Sequence, residues 1–354
     1  MNPVDLARAE IRALKPYASA RALADSAGVL LNANENPWPP LGDAGLSLNR
    51  YPDPQPAALK RRLAEVYGVD EAQLLITRGS DEGIDLLVRV FCRAGSDRVL
   101  ICPPCFGMYA LSARVQNAEV VEAPLREAER GWELDRSAIE QAAPCRLYFL
   151  CSPNNPTGNL IEPEAVLDLA GQVADHGLVV IDEAYIEFCE RASLAEQVAA
   201  QPNLVVLRTL SKAYALAGCR IGAVIAEAGV IDLLRRIIAP YPLPTPSVAA
   251  ALTALDPTAL DRQRDQLARL AELKTTLLAQ LHRHPAMTTV WPGEANFVLV
   301  RVDDAARLVA DAFDAGIRLR DQSGQPGLAG CVRMTIGSEH EMQSLSEFLR
   351  HWPT

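Results

Sequence analysis

Short apolar segments alternate with amphipathic segments along the middle of the chain, from about residue 74 to residue 226. Most of the apolar segments are continuous, which is typical of strands buried on both faces of a sheet. The amphipathic segments predict helices, and the one over EPEAVLDLAGQVADHG is expected to end at Gly177 because glycine is a common helix stop. This alternation indicates an α/β domain with a mostly parallel sheet. The predicted strands are LLIT (74–77), RVLIC (98–102), EVVEAP (119–124), RLYFLCSP (146–153), LVVIDEAY (178–185), LVVLRTLS (204–211) and IGAVIA (221–226).

The pattern changes beyond Pro246, where a long helical stretch precedes further strand candidates. These are NFVLVRV (296–302), IRLR (317–320) and CVRMTIG (331–337), and two amphipathic helices accompany them. The second half therefore predicts a smaller α+β domain. We divide the chain into an N-terminal arm with a small-domain segment (1–35), a large domain (36–245) and a small C-terminal domain (246–354).

Charge and hydropathy exclude several classes of protein. The formal net charge is -10 and the pI is near 5.1, which disfavours a nucleic-acid-binding surface or a polybasic membrane patch. No apolar run approaches the roughly 18 residues that span a bilayer. The N-terminal residues carry charges throughout and lack the apolar core of a signal peptide. We therefore expect a cytoplasmic protein without nucleic-acid or membrane partners.

The eight cysteines are scattered along the chain, and only Cys102 and Cys105 form a CxxC pair. A zinc site needs two more ligands at matching spacing, and none lies nearby. A redox CxxC opens a helix in a thioredoxin-like unit, whereas this one follows a strand and contains a Pro-Pro turn. We expect reduced, buried or half-buried thiols and no metal site.

Polar clusters follow four of the predicted strands: RGSDEG, SPNNPTG, DEAY and TLSK. In open α/β sheets, ligands bind beyond the carboxyl ends of the strands, so these clusters are expected to converge on one rim. In the first cluster, Ser80, Asp81 and Glu82 begin an amphipathic helix whose free N–H groups can bind an anion. An ordinary acidic first turn is the alternative. The cluster has neither a Walker A lysine nor GxGxxG spacing, so nucleotide binding is not supported.

Asp182 and Glu183 directly follow four apolar residues. Burying a carboxylate costs several kcal/mol unless it is paired, so a positive group is expected beside one of them. An ion pair with an arginine is the alternative, and Lys212 is the more economical partner. A partly desolvated lysine becomes an amine nucleophile that can form a Schiff base. A Schiff-base lysine with an aspartate partner is the signature of pyridoxal-phosphate enzymes.

Two further clusters fit that chemistry. Asn155 lies between prolines at a strand end, where a turn is the simpler interpretation but a side-chain amide can also face the cleft. Ser211 and Arg220 flank Lys212 in the sequence and, with the helix start at Ser80, suit a phosphate group because guanidinium binds phosphate in a bidentate manner.

These motifs resemble those of the fold type I, pyridoxal-phosphate-dependent aminotransferases, and the closest likeness is to the histidinol-phosphate aminotransferase family. The resemblance runs from LKPYASAR to VRMTIG, nearly the whole chain. It implies a large domain with a mostly parallel sheet, a smaller α+β C-terminal domain and pyridoxal 5′-phosphate as cofactor. The motifs are RGSDE, CPPCFGMY, CSPNNPTG, VIDEAYIEF, RTLSKAYALAGCR, NRYPDPQP, IAPYPLPTP, LRDQ and GCVRMTIG.

The resemblance implies catalytic roles for Lys212, Asp182 and Tyr185. Lys212 is the lysine that binds the cofactor covalently and then moves a proton between the substrate's Cα and the cofactor's C4′. Asp182 keeps the ring nitrogen protonated, while Tyr185 and Asn155 bond the 3′ oxygen. Phe106 stands where many relatives have tyrosine; it keeps the ring stacking but loses a hydroxyl contact.

The phosphate of the cofactor is implied to bind at the start of the helix after the first strand, together with a tyrosine from a neighbouring subunit. That tyrosine makes a homodimer with shared active sites part of the expectation. The residues implied here are Ser80, Asp81, Glu82, Ser211, Arg220 and, from the neighbouring subunit, Tyr51.

For the substrates, Arg333 resembles the family arginine that binds the α-carboxylate of glutamate in one half-reaction and the substrate phosphate in the other. Arg320, Tyr17 and Asn34 are expected to assist it. A surface ion pair is the alternative for Arg320. The implied reaction is transamination between L-histidinol phosphate and 2-oxoglutarate. An aromatic amino-acid aminotransferase and a decarboxylase of a phosphorylated amino acid are the alternatives.

Overall fold

The computed structural model describes residues 2–17, 28–128 and 131–353. Of the predicted N-terminal arm, residues 18–27 lie outside the described residues. The main element is a seven-stranded sheet in the order β1-β9-β8-β7-β6-β2-β3, in which β9 alone runs against the other six. Its strands are β1 (Leu74–Thr77), β2 (Arg98–Ile101), β3 (Glu119–Glu122), β6 (Leu147–Cys151), β7 (Leu178–Asp182), β8 (Leu204–Thr209) and β9 (Gly222–Ile225).

Strand composition explains why this sheet is central. Along β7, Leu178 and Val180 pack into the apolar core on one face of the sheet, and Val179 and Ile181 pack into the core on the other. Successive side chains of a strand point to opposite faces, so a continuously apolar strand is stable only when both faces are covered. The N-terminal segment contains α1 (Ala9–Ala13). The other helices of this half are α2 (Ala57–Tyr67), α3 (Gly79–Phe91), α4 (Met108–Val115), α5 (Arg136–Ala142), α6 (Pro163–Gln172) and α7 (Ala228–Arg235).

A second, four-stranded antiparallel sheet has the order β10-β11-β13-β12. Helices α9 and α11 pack together beside it, and α10 packs against β12 and β13. Its strands are β10 (Met287–Trp291), β11 (Phe297–Val302), β12 (Arg320–Asp321) and β13 (Cys331–Thr335). The helices of this half are α8 (Thr245–Ala254), α9 (Pro257–Leu281), α10 (Ala305–Asp314) and α11 (Glu339–His351).

The structure adds elements that the sequence pattern does not predict and moves several boundaries. The largest shift in a strand is at the predicted IRLR (317–320), of which only Arg320 lies in β12. A two-stranded ribbon of β4 (Arg126–Ala128) and β5 (Gly131–Glu133) stands outside both sheets, and β10 forms one edge of the second sheet. The predicted helix end at Gly177 is wrong, because α6 ends at Gln172. Gly177 is instead required by packing: a Cβ there would lie 2.6 Å from the Cys145 carbonyl oxygen and 2.7 Å from the Tyr148 ring.

The cysteines form no disulfide, and both members of the CxxC pair are buried. Burial raises the pKa of the Cys105 thiol to about 12, so this group is an inert thiol at neutral pH. Within the described ranges, no helix has the length and apolar character needed to cross a bilayer.

Candidate active site

The four polar clusters at the strand ends meet in one cavity of about 660 Å³ at the carboxyl edge of the large sheet. Residues from the second sheet close its other side, so the cavity lies between the two sheets. Twenty residues line it: Ser80, Asp81, Cys105, Phe106, Gly107, Met108, Leu111, Cys151, Asn155, Asp182, Ala184, Tyr185, Thr209, Ser211, Lys212, Arg220, Arg320, Gln322, Gln325 and Arg333.

Lys212 lies three residues beyond the end of β8, and its side chain is accessible from the cavity. Its Nζ lies 5.6 Å from the centre of the Tyr185 ring. Desolvation lowers the pKa of Lys212, and the positive charges of Arg333 and Arg220 lower it further. A lowered pKa enlarges the fraction of neutral amine, which is the nucleophilic and proton-accepting form.

Asp182 ends β7 and is buried. Its Oδ2 accepts a hydrogen bond of 2.7 Å from the Tyr109 hydroxyl, and its Oδ1 accepts one of 3.1 Å from the Ala184 amide. Burial raises the pKa of Asp182 to about 6, while these two donors favour the carboxylate. The carboxylate is thus held in a fixed position by hydrogen bonds, and it forms no ion pair with any residue that the structure describes.

Tyr109 is a site residue that the sequence analysis missed. Its ring stacks on Phe149 with centroids 4.9 Å apart, which places the hydroxyl against Asp182. The sequence signal for Tyr109 is its position in the CFGMY motif, on the buried side of a short helix. A buried tyrosine hydroxyl usually finds a hydrogen-bond partner, so a polar partner at the nearby strand ends could have been expected.

Replacing Tyr109 by Phe is expected to shift the acid limb of the activity profile to higher pH. The loss of the hydroxyl donor raises the pKa of Asp182, so less carboxylate is present on the acid side and kcat/KM falls there by up to about tenfold. The measurement is kcat/KM against pH for both proteins. Tyr148→Phe is the matched control, since that buried hydroxyl bonds Cys145 and His176 instead. An unchanged acid limb in Tyr109→Phe contradicts this role.

A cradle for an anion forms where α3 begins. A Cβ at Gly222 would lie 2.5 Å from the Ser80 amide nitrogen, and a Cβ at Gly79 would lie 2.7 Å from Arg220 Nη2. The two glycines therefore let the backbone and the guanidinium approach each other closely. Arg220 also donates to Ser211 Oγ at 3.2 Å and pairs with Asp81 at 3.1 Å. Helix N–H groups, a hydroxyl and a guanidinium together suit a phosphate group.

Asn155 and Arg333 meet across the cavity, one from each sheet. Arg333 Nη1 donates a hydrogen bond to Asn155 Oδ1, and a guanidinium can only donate, so the amide nitrogen of Asn155 remains available as a donor. The Arg333 guanidinium also lies over the Phe297 ring at 5.2 Å, and none of the described residues forms a hydrogen bond with its buried Nε. The Tyr185 ring packs edge-on against Phe297 at 5.4 Å.

Arg320 and Arg333 are directly opposite one another on β12 and β13. Like charges at opposed positions destabilise a sheet, and Arg320 lowers the pKa of Arg333, after the larger effect of desolvation. In the part of the chain that the structure describes, no acidic side chain forms an ion pair with either arginine; the ion pairs found there involve other residues. Two uncompensated guanidinium groups facing a cavity favour a bound anion.

Four predicted site residues do not line the cavity of their own chain. The Glu82 carboxylate pairs with Arg78 at 2.8 Å. Tyr51 stacks on Tyr241 with ring centroids 4.4 Å apart. Tyr17 is exposed, and Asn34 adopts the left-handed backbone conformation with φ of 55°. Phe106, by contrast, lines the cavity and packs edge-on against Tyr109 at 5.7 Å.

The preference for Lys212 as the positive group beside Asp182 or Glu183 is corrected by the structure: among the described residues, the cation that forms an ion pair with either carboxylate is an arginine. Arg208 pairs with Glu183 at 3.5 Å and with Glu187 at 2.6 Å, and all three side chains are nearly or fully buried. Glu183 also accepts hydrogen bonds from the Ser193 hydroxyl and from the Leu194 amide at 2.7 Å. Glu183 therefore belongs to an internal ion network, and only Asp182 faces the cavity.

Comparisons with known proteins agree with this geometry. The aminotransferase class I and II family matches residues 27–351. Histidinol-phosphate aminotransferase of Cronobacter sakazakii is 45% identical over 355 residues, which covers 100% of this chain and 98% of that protein. The enzyme of the same name from Xylella fastidiosa is 45% identical over 350 residues, or 98% and 96% of the two chains.

Solved structures give the same result. Histidinol-phosphate aminotransferase from Sinorhizobium meliloti, in complex with pyridoxal-5′-phosphate, has a TM-score of 0.76 and 27% identity over 90% of each chain. L-threonine-O-3-phosphate decarboxylase from Porphyromonas gingivalis has a TM-score of 0.71 and 25% identity, covering 85% of this chain and 92% of that one. These similarities confirm the fold and the resemblance that the motifs indicate. The chain belongs to the aminotransferase class I and II family.

Proposed function

We propose that this protein transfers an amino group between L-histidinol phosphate and 2-oxoglutarate, giving imidazole-acetol phosphate and glutamate in histidine biosynthesis. The observation that carries the proposal is the opposed pair of Arg320 and Arg333, uncompensated by acid, in the same cavity as Lys212 and Asp182. One substrate ends in a phosphate and the other in carboxylates, and planar guanidinium groups bind both kinds of anion. The names of the full-length relatives support the same reaction.

The cofactor of the proposed reaction is pyridoxal 5′-phosphate, and the residues present fit it. The cradle at the start of α3 suits the phosphate, Asp182 suits the ring nitrogen, and Phe106 lies where a ring face can stack. The amide nitrogen of Asn155 and the Tyr185 hydroxyl suit the ring oxygen. When bound, the cofactor supplies a ring that withdraws electrons from the substrate's Cα. The residues proposed to hold it are Ser80, Asp81, Phe106, Asn155, Asp182, Tyr185, Ser211, Lys212 and Arg220.

Three side chains of this protein are proposed to have distinct roles in the reaction. Asp182, held by Tyr109, would accept a hydrogen bond from the ring nitrogen and favour its protonated form. Lys212 Nζ, whose pKa is lowered, would take a proton from the substrate's Cα and deliver it to C4′ of the cofactor within the same half-reaction, and in the other half-reaction it would carry a proton from C4′ to Cα. Arg333 orients the substrate by its anionic end, so that the Cα–H bond faces Lys212.

The two arginines are expected to differ in their effect on the two half-reactions. Arg333→Ala weakens both glutamate and histidinol phosphate, because each loses charge-assisted hydrogen bonds, by about ten- to hundredfold in kcat/KM. Arg320→Ala weakens histidinol phosphate more, since the carboxylate of glutamate is already bound by Arg333. The measurement is the rate of each half-reaction, obtained by mixing the holoenzyme with one amino donor at a time.

Aromatic amino acids provide the control, because they carry the α-carboxylate without a phosphate. Equal losses for every donor in Arg320→Ala contradict the phosphate role and favour an aromatic aminotransferase, as does a wild-type enzyme that prefers phenylalanine or tyrosine. Turnover of a phosphorylated amino acid without 2-oxoglutarate, with release of carbon dioxide, indicates a decarboxylase instead.

The proposed working form is a homodimer with shared active sites. Tyr51 lies outside the cavity of its own chain, which suits a residue that reaches the cofactor phosphate of the neighbouring subunit. Large apolar side chains on the same segment are exposed, as expected of a surface that a partner covers. They include Val29, Leu31, Trp38 and Leu41. In this arrangement Tyr17 and Asn34 assist substrate binding, and the unpaired thiols suit the reducing cytoplasm.

A further inference from the structure

We propose that Gln322 is an uncharged ligand of the substrate phosphate and that it distinguishes histidinol phosphate from glutamate. The inference rests on the proposed function and goes beyond it, because it explains how one cavity treats a phosphate and a carboxylate differently. It is drawn from the position, burial and free hydrogen-bonding capacity of this side chain.

Gln322 lies on the same side of the second sheet as Arg320. Gln322 follows β12 directly, and its backbone N–H donates to the Cys331 carbonyl at 2.9 Å, which continues the pairing with β13. Side chains two residues apart along a strand point to the same face. Gln322 therefore points to the same side as Arg320, and both line the cavity together with Arg333.

Gln322 is a buried polar residue. The Gln322 side chain is only 7% exposed, although it is polar and lies near the end of an edge strand. A buried amide loses its hydrogen bonds to water, so each polar atom needs a partner inside the protein or in a ligand. A position that had only to fill space would be better served by an apolar side chain.

The Gln322 amide also has hydrogen-bond donors that no described residue uses. Gln325 Nε2 donates to Gln322 Oε1 at 2.9 Å, which orients the Gln322 amide. Among the described residues, no acceptor receives a hydrogen bond from Gln322 Nε2, although Gln322 lines the cavity. An amide nitrogen carries two donors, so this side chain has N–H groups to offer a bound anion.

The chemistry of the two substrates explains what those donors are for. A carboxylate has two oxygens, and a single guanidinium can bind both in a bidentate manner. A phosphate monoester has three terminal oxygens and a charge near -2 at neutral pH, so it needs more donors than one guanidinium supplies. Gln322 adds a donor without placing a third positive charge beside two opposed arginines.

The test uses the holoenzyme and compares Gln322→Met with the wild type in each half-reaction separately. The concentration of histidinol phosphate that gives half the maximal rate is expected to rise about ten- to hundredfold, while that of glutamate stays within about twofold. Gln343→Met is the matched control, because that glutamine lies on α11 and donates to Glu347 at the surface. Equal losses for both substrates mean that Gln322 only shapes the loop, and they overturn the proposal.

Inorganic phosphate provides a second readout that needs no histidinol phosphate. It should inhibit the glutamate half-reaction by occupying the cavity, and Gln322→Met should weaken that inhibition by a similar factor. Gln322→Glu, which keeps the shape but turns a donor into a negative charge, should weaken it further. Unchanged inhibition in both variants overturns the phosphate role. Wild-type protein that is inert toward histidinol phosphate but active with glutamate overturns the proposed function instead.

Discussion

Lys212→Ala is expected to abolish transamination and to remove the covalent link to the cofactor. Among the residues that the structure describes, Lys212 is the only lysine that lines the cavity, and it is proposed to supply both the attachment point and the proton carrier. Loss of a general base alone costs about 100- to 10,000-fold in rate, and loss of the covalent step adds to that. The measurements are turnover with histidinol phosphate and 2-oxoglutarate, visible absorbance, and peptide mapping after borohydride reduction.

The matched control is Lys274→Ala. Lys274 is half-buried, and desolvation lowers its pKa as it does that of Lys212, but its Nζ donates to the Gly293 and Ala295 carbonyls at 2.7 and 2.8 Å outside the cavity. This variant should retain the cofactor link. Reduction that labels Lys274, or any lysine other than Lys212, contradicts the assignment.

Asp182→Asn is expected to keep the cofactor and lose most of the activity. The amide oxygen can still accept from Tyr109, whereas the amide nitrogen replaces the oxygen that accepts from Ala184, and the negative charge is gone. A neutral partner no longer holds the ring nitrogen protonated, and loss of a charge-assisted bond to a buried cation lowers the rate at least about tenfold. The measurement is kcat together with cofactor content per chain.

The cofactor content of Asp182→Asn shows whether a loss of activity comes from the missing charge or from loss of the cofactor itself. An inactive variant with full cofactor content supports the role of Asp182 at the ring nitrogen. A variant with full cofactor content and near-normal turnover contradicts that role.

The large sheet could be predicted from the sequence because most of its strands are continuously apolar segments and polar clusters follow four of them. The strand ends also predicted which side chains meet, since parallel strands bring their carboxyl ends to one edge. Asn155, Asp182 and Lys212 are far apart in the chain and nevertheless line one cavity.

What could not be predicted depends on tertiary contacts. Tyr109 is one of several buried aromatic residues, and only the stacking on Phe149 shows that its hydroxyl reaches Asp182. Strand β12 is two residues long and shares only Arg320 with the predicted strand IRLR, so the register that opposes Arg320 and Arg333 could not be predicted from the sequence. Gly177 has the signature of a helix stop, but its contacts with Cys145 and Tyr148 explain it.

The buried network of Arg208, Glu183 and Glu187 has a consequence for how this protein can evolve. Buried ion pairs contribute little net stability, yet removal of one partner leaves an unpaired buried charge and costs roughly 3–5 kcal/mol. An apolar replacement of the whole set can be neutral, but each single substitution on the way to it is strongly unfavourable. The three residues are thus an epistatic unit that single mutations cannot dismantle. Lineages that inherit Glu183 beside Asp182 are therefore expected to retain it even though it never touches the substrate.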